Sequence, residues 1–237
     1  LEMLNPWSWF TRKKHPVLAA NQAAFRHFDQ SRPVASYDFV VFDTELTGLN
    51  PRRDEIVSIG AVRIRSLRLS AGENFHVYVR PRRELPKNST LIHQITPQQI
   101  ENAPLLPEVL PDFVKFCNGA LLVGHYVGLD IGFVNRAAKT CMGGKLANPC
   151  VDTMRLAQVF KEERWGNFYD QFNYGVSYNL RDLAREYDLP VFDRHDALQD
   201  ALQTAYLFLF LVKKLRSGGI TTLRELYLAG RSWRWVF

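Results

Sequence analysis

Tyr37-Asp38-Phe39-Val40-Val41-Phe42-Asp43-Thr44-Glu45-Leu46-Thr47-Gly48 is the stretch that decides the fold. Its first half, Tyr37–Asp43, is rich in β-branched and aromatic residues and predicts the most apolar strand of the chain. Two acids with one residue between them stand at the end of that strand. Side chains two apart along a strand share a face, so Asp43 and Glu45 bring their carboxylates together. Like charges that close call for a compensating cation, and hard divalent ions such as Mg²⁺ or Mn²⁺ prefer oxygen ligands. A solvated strand end also accounts for such a pair, so the rest of the chain has to decide.

Further β-rich runs follow at Ile56–Arg65 and Asn74–Arg80, with Gly48-Leu49-Asn50-Pro51 and Ser70-Ala71-Gly72 as turn material. Three strands with brief links predict an antiparallel meander. Beyond it the pattern turns helical. Thr96-Pro97-Gln98-Gln99 marks a helix start, and Leu106–Cys117 is an amphipathic helix. Ala120–Val123 reads as a buried strand, Leu129–Cys141 as a helix, and Cys150–Val151 as a short strand. Helices are expected at Thr153–Phe160 and Leu180–Tyr187, and a long one from Ala197 to about Leu215; the aromatic-rich segment Glu162–Tyr178 reads as a loop or lid. A meander followed by alternating helix and strand gives an α/β fold, a mixed sheet covered by helices.

The expected organisation is an aromatic and basic helical extension over residues 1–35, a main domain over 36–216 and a basic segment over 217–237. The extension opens with Trp7, Trp9, Phe10, Arg12, Lys13 and Lys14, and a helix is expected from Pro16 to about His27. Its aromatics suit base stacking or a membrane surface, with packing on the main domain the preferred fate. At the other end, Trp233, Arg234 and Trp235 suit a single strand of nucleic acid, whereas the amphipathic Ile220–Leu228 favours docking of the tail.

The composition, 46% hydrophobic and 23% charged, is that of an ordinary globular protein. Apolar runs such as Ala205–Val212 are too short to span a bilayer and no secretory leader opens the chain, so a soluble cytoplasmic protein with no membrane partner is expected. Cys117, Cys141 and Cys150 are odd in number and lack C-x-x-C spacing, which argues against a disulfide framework or a zinc site. The net charge of +6 is unevenly spread: residues 1–35 hold five Lys/Arg against two acids, residues 213–237 six against one, and the middle 19 against 21. Acids concentrated at a metal site within a basic protein would produce this pattern, as would two basic, solvated termini.

Two further clusters carry chemistry. In Val123-Gly124-His125-Tyr126-Val127-Gly128-Leu129-Asp130 a buried strand gives way to a helix, where α/β proteins place ligand groups. Asp130 suits either an N-cap or a ligand, and His125 either a structural bond or a substrate contact. In Asp193-Arg194-His195-Asp196-Ala197-Leu198-Gln199-Asp200 the long helix opens. His195 and Asp200 are five apart and would not share a helical face, so both reach one site only if His195 lies at or before the first turn. Asp193 or Asp196 is then the cap. Asp200 sits among Leu198, Ala201 and Leu202, where a carboxylate needs a partner or a metal.

Taken together, FDTELTGL with DEIVSIGAV, then LVGHYVGLDIGF, then HDALQDALQTAYLF resemble the DEDD superfamily of DnaQ-like exonucleases, in the branch with a histidine in its last motif. Ser89-Thr90-Leu91-Ile92-His93-Gln94-Ile95-Thr96 looks like the S-x-x-I-H-G-I-T segment of proofreading-type members, and the resemblance spans roughly Tyr37 to Leu215. It implies a ribonuclease H-like fold with a mixed five-stranded sheet, and metal-dependent 3′→5′ hydrolysis by two divalent ions, Mg²⁺ or Mn²⁺. Asp43 would bridge both ions, Glu45 and Asp200 would complete one, Asp130 would hold the second, and His195 would act as general base. Two ions can stabilise both the attacking and the leaving oxygen of an in-line displacement, and histidine exchanges protons near neutral pH. The resemblance further implies that Thr47, Gly48 and Leu49 hold the 3′-terminal nucleotide, with His93 opposite and His125 nearby.

Three positions depart from the family pattern. Leu46 stands where Thr is common, Gln94 replaces the usual Gly, and Tyr126 stands where many relatives have Asn after the second-motif histidine. The last bears on the choice of DNA or RNA. The expected substrate is the 3′ end of single-stranded DNA, with a DNA polymerase as a possible partner. The alternatives are an exoribonuclease acting on RNA or short oligonucleotides, and a nucleic-acid end-binding or polymerase-interaction module.

Overall fold

Strand β1 (Phe39–Leu46) forms because Phe39, Val40, Val41 and Phe42 bury completely, alternate residues facing opposite ways. Phe39 and Val41 join one core with Phe208 and Leu211, while Val40 and Phe42 join a second with Leu110 and Phe113. A strand with two apolar faces must lie inside a sheet covered on both sides. The structure, a computed structural model, describes residues 14–164, 177–192 and 195–231.

β2 (Ile56–Arg65) pairs antiparallel with β1, setting Gly60 opposite Asp43 and Ser58 opposite Glu45, with an irregularity between Glu45 and Leu46. β3 (Arg68–Tyr78) pairs antiparallel with β2; β4 (Leu121–Gly124) runs parallel to β1 and β5 (Cys150–Asp152) parallel to β4. The order β3-β2-β1-β4-β5 is the expected mixed five-stranded sheet. The β2–β3 turn differs from the expected one. It is made by Ser66 and Leu67 at φ 48° and 55°, both in the left-handed region that matches the twist of a two-residue hairpin. Ser70-Ala71-Gly72 lies within β3, where Gly72 (φ 77°) serves a bulge opposite Val62 and Ile64.

The helices are α1 (Pro16–Ala24), α2 (Lys87–His93), α3 (Pro97–Ile100), α4 (Leu106–Cys117), α5 (Gly128–Cys141), α6 (Thr153–Arg164), α7 (Leu180–Glu186), α8 (Ala197–Ser217) and α9 (Leu223–Arg231). Buried residues of α6, α7, α8 and α9 fill the core on one face of the sheet, and those of α1, α4 and α5 the other. α1 stops three residues short of His27 and is built into the second core: Leu18 is fully buried, and the Asn21 amide donates to Asn148 Oδ1 and to the Asn118 carbonyl. Residues Glu162–Arg164 of the expected loop continue α6, and the rest of that segment up to Val176 lies outside the described residues. So do the tryptophans of both ends and Asp193. Among the described residues no helix is long and apolar enough to cross a membrane.

One feature of the sheet places the site. β4 accompanies β1 only along Phe39, Val40 and Val41, so the two parallel strands part just before Asp43. β1 joins β2 on one side and β4 on the other, and a crevice opens at the carboxyl ends of parallel strands at such a switch point.

Candidate active site

β1 extends to Leu46, so Asp43 and Glu45 lie within the paired strand, ahead of its irregularity, and not at a frayed end. Strand geometry puts them on one face, towards the start of α8. Gly60, across from Asp43, permits that approach: a Cβ there would lie 2.1 Å from backbone atoms of Ala197 and Leu198. Any side chain at position 60 would push the helix off the sheet.

The last motif meets the condition set by its spacing. Asp196 caps α8, its Oδ1 accepting from the amides of Leu198 and Gln199 at 3.0 Å, so His195 precedes the helix. His195 adopts φ 61° and its amide donates to Asp200 Oδ2 at 3.1 Å, folding the chain back over the first turn. Ligand atoms of Glu45, His195 and Asp200 consequently all lie within 4.8 Å of one another. Asp43 and Asp130 stand outside that triplet as electrostatic neighbours.

Asp130 is the third residue of α5 and not its cap; the residue before the helix is Val127. Its Oδ1 accepts from both the amide and the hydroxyl of Thr44, tying α5 to β1 where β4 has ceased to pair. Burial raises the Asp130 carboxyl to about 6, against the lowering effect of the Thr44 bonds. Burial, then repulsion from Asp200, Asp130 and Asp196, pushes Glu45 up to about 8. Asp43 is raised well above the usual carboxylate range by burial and by Asp130, Asp200 and Glu45. Among the described residues no Lys or Arg forms an ion pair with Asp43, Glu45 or Asp130. Asp43, Glu45 and Asp130, buried or half-buried together with no ion-paired Lys or Arg among the described residues, fit hard divalent ions, whose preferred donors are carboxylate oxygens.

A cleft of about 260 Å³ opens on this group, lined by Asp43, Tyr126, Arg181, Phe192, His195 and Asp200 among others. His125 also lines it, but both of its ring nitrogens are engaged: Nδ1 is 2.9 Å from the Thr153 hydroxyl and Nε2 2.8 Å from the Tyr178 carbonyl. Burial lowers its pKa to about 4, so the ring is neutral and Nε2–H donates to Tyr178. Tyr126 is half exposed at φ 57°, its amide held by Asp152 Oδ1 at 3.0 Å, with its ring edge-on to His125. His195 also borders a second recess, with Ser58, Tyr78, His93 and Gln99. There His93 is nearly fully buried; its Nδ1 accepts from the Ile95 amide, and its Nε2 has no protein partner.

The segment after the first motif is partly committed. The Thr47 amide donates to the Glu55 carbonyl and its hydroxyl accepts from the Glu55 amide, both at 2.9 Å, while Gly48 lies against the Asp54 carboxylate. Leu49 is 76% exposed and free to meet a ligand. Thr44, Gly60, Asp152 and Arg181 were not singled out from sequence. Only Asp152 carried a usable signal, a carboxylate between a short strand and a helix, as at Asp130.

A family model described as Exonuclease, of the RNase T type, matches residues 40–208. A DNA polymerase III subunit epsilon-like protein from Rhodobacter capsulatus is 39% identical over 191 residues, covering 80% of this chain and 26% of that protein. The chain thus spans about a quarter of that relative's length. A DNA polymerase III subunit epsilon from Aquifex aeolicus is 31% identical over 178 residues, covering 75% of this chain and 81% of that one. Among solved structures, Escherichia coli exonuclease I in complex with a dT13 oligonucleotide superposes with a TM-score of 0.64 at 18% identity. The match covers 77% of this chain and 42% of that one.

Proposed function

This chain belongs to the RNase T-type, DnaQ-like 3′→5′ exonucleases, and from that premise we propose that it releases nucleoside monophosphates from DNA 3′ ends. In this reading Asp43, Glu45, Asp130 and Asp200 hold two divalent ions, Mg²⁺ or Mn²⁺, and His195 is the general base. The observation that carries it is the meeting of Glu45 with His195 and Asp200, about 150 residues apart in the chain, beside two further carboxylates in the crevice where β1 and β4 part.

When bound, the ions would supply Lewis acidity to the attacking and leaving oxygens. The chain's own residues do the rest. The four carboxylates supply oxygen donors, and their repulsion leaves them poised to take up cations. His195, at φ 61° with its backbone N–H donating to the Asp200 carboxylate, stands beside the acids and takes the proton of the attacking water. Asp196 holds that arrangement as the cap of α8. Leu49 and Tyr126, exposed at the rim, offer apolar surface to the terminal base and sugar, and His93 presents its unpartnered Nε2–H from the second recess. Single-stranded DNA is the favoured substrate, as the strand held by the structural relative is oligothymidylate, and a DNA polymerase is the partner class suggested by the epsilon subunits. The exonuclease domain is taken to run over residues 36–216, with α1 and α9 packed into its two cores.

The test is mononucleotide release from matched 5′-labelled single-stranded DNA and RNA, with Mg²⁺ or Mn²⁺ against EDTA, for the parent chain and the Asp43→Ala and His195→Ala variants. A ladder shortening from the 3′ end that needs metal and both residues supports the reading and ranks the substrates. Binding without cleavage by folded, metal-supplied protein would reduce it to an end-binding module.

A further inference from the structure

Beside the catalytic group lies a cavity of about 290 Å³ that the reaction does not use. Its floor is apolar, from Ile56, Phe133 and Ala137, and its rim carries Arg52, Arg53, Arg80, Arg82, Arg83 and Arg136. The arginines come from three separate elements: the β1–β2 loop, the segment after β3, and α5. Two of these connections are fixed by hydrogen bonds. Arg136 donates to the Arg52 carbonyl, and the amides of Arg82 and Arg83 donate to the Glu55 carboxylate.

Asp54 and Glu55 offset only two of the six guanidinium charges on this rim. Glu55 is taken by those two amides, and Asp54 accepts from the Asn50 amide and meets Arg53 at 3.8 Å. Arg80 bonds the Glu101 carbonyl, whereas Arg52, Arg82, Arg83 and Arg136 have no carboxylate partner among the described residues. Four uncompensated guanidinium groups around one cavity repel one another, and a bound polyanion would relieve that repulsion. Guanidinium groups suit phosphate because their planar forks bond two oxygens at once.

The cavity and the catalytic cleft share no lining residue but are neighbours along two elements. Phe133 follows Asp130 by one turn of α5, and Ile56 pairs with Leu46, the neighbour of Glu45. We propose that this arginine-lined cavity binds the phosphodiester backbone of the substrate strand upstream of the nucleotide being released. The proposal rests on the exonuclease reading. It gives the chain a cationic counterpart to a catalytic group that otherwise repels a polyanion until cations are bound.

The test uses the full chain and two probes. A 5′-fluorescent twelve-nucleotide oligothymidylate, followed by anisotropy across a salt series in EDTA, reports strand binding. Hydrolysis of thymidine 5′-(p-nitrophenyl phosphate) with Mn²⁺ reports the catalytic group alone, because that ester is too small to reach the cavity. Arg82→Ala/Arg83→Ala, both exposed, should weaken oligonucleotide binding about tenfold at low salt and reduce the salt slope by about 1.4, the value for two single-strand phosphate contacts. Ester hydrolysis should be unchanged, and Arg82→Glu/Arg83→Glu should weaken binding further. Unaltered oligonucleotide affinity and slope in both double variants would overturn the proposal. So would arginine-dependent capture of a labelled polyglutamate peptide with no effect on the oligonucleotide. Failure of the parent chain to hydrolyse the small ester would count against the exonuclease reading, while the binding series still decides the cavity.

Discussion

Raising the pH on metal-free protein should destabilise it, and the size of the effect follows from Glu45. In the folded chain burial and the neighbouring Asp200 push its carboxyl to about 8, from an ordinary value of 4.5. Between those values the native state keeps a proton that the unfolded chain has released. Stability is therefore full below the unfolded pKa and is lost as pH rises towards the folded one, at about 1.4 kcal/mol per pH unit. The useful window lies above about pH 6.5, because His125, lowered to about 4, gives the opposite slope below the ordinary imidazole value. Asp130, at about 6, has largely titrated there. From about pH 6.5 to 8 Glu45 alone contributes a loss of about 1.6 kcal/mol, or roughly 3–6 °C in Tm for a domain of this size. The assay is thermal unfolding across that window in EDTA and again in saturating Mg²⁺ or Mn²⁺, with Glu45→Gln alongside. The cation should raise Tm and flatten the slope, and the Gln variant should flatten it without metal. A metal-free Tm that is level or rising across the window, or a slope indifferent to both changes, would refute the electrostatic account of the site.

Three further outcomes test the scaffold around these acids. Gly60→Ala should cost about 2–3 kcal/mol in urea unfolding, because its Cβ would overlap the α8 backbone, and it should reduce kcat by displacing His195 and Asp200. Asp196→Ala removes two capping bonds and should cost about 1 kcal/mol in the same assay, with a lower kcat than that loss alone accounts for. Tyr126→Asn should stabilise the fold by about 0.5–1 kcal/mol, since Asn tolerates the left-handed backbone better, while raising KM for oligonucleotides; an unchanged KM would remove Tyr126 from the substrate surface.

Much of the fold was legible because the strongest sequence signals are also the main packing surfaces. The run Phe39–Phe42 gave β1, the amphipathic Leu106–Cys117 gave α4 with both bounds, and the apolar stretch after Ala197 gave α8. The β2–β3 turn was misplaced because the left-handed positions fell on Ser66 and Leu67, which lack the Gly or Asn usual there, whereas Gly72, five residues beyond Leu67, marked a bulge. α2 passed unseen because it carries Leu91 and Ile92 outward, 80% and 57% exposed, so no apolar face repeats along it. At the site, the acids and His195 announced themselves through motif order, and the five-residue spacing foretold that His195 must precede its helix. Thr44 and Gly60 did not, because their roles come from what lies across the sheet: an α5 carboxylate in one case and the backbone of α8 in the other.

The hydrogen bonds between Asp130 and Thr44 bear on the choice of a variant for trapping substrate. That carboxylate fastens α5 to the stretch of β1 that carries Asp43 and Glu45, and it does so at the point where the sheet offers no further partner on that side. Removing Asp130 would abolish a charge and loosen the seating of two other acids, so a silent enzyme made this way would be a poor mould of the active one. Among the described residues the Asp43 side chain makes no such hydrogen bond, and Asp43→Asn keeps the shape while removing a charge. A stalled complex with an uncut 3′ end is better sought with that variant.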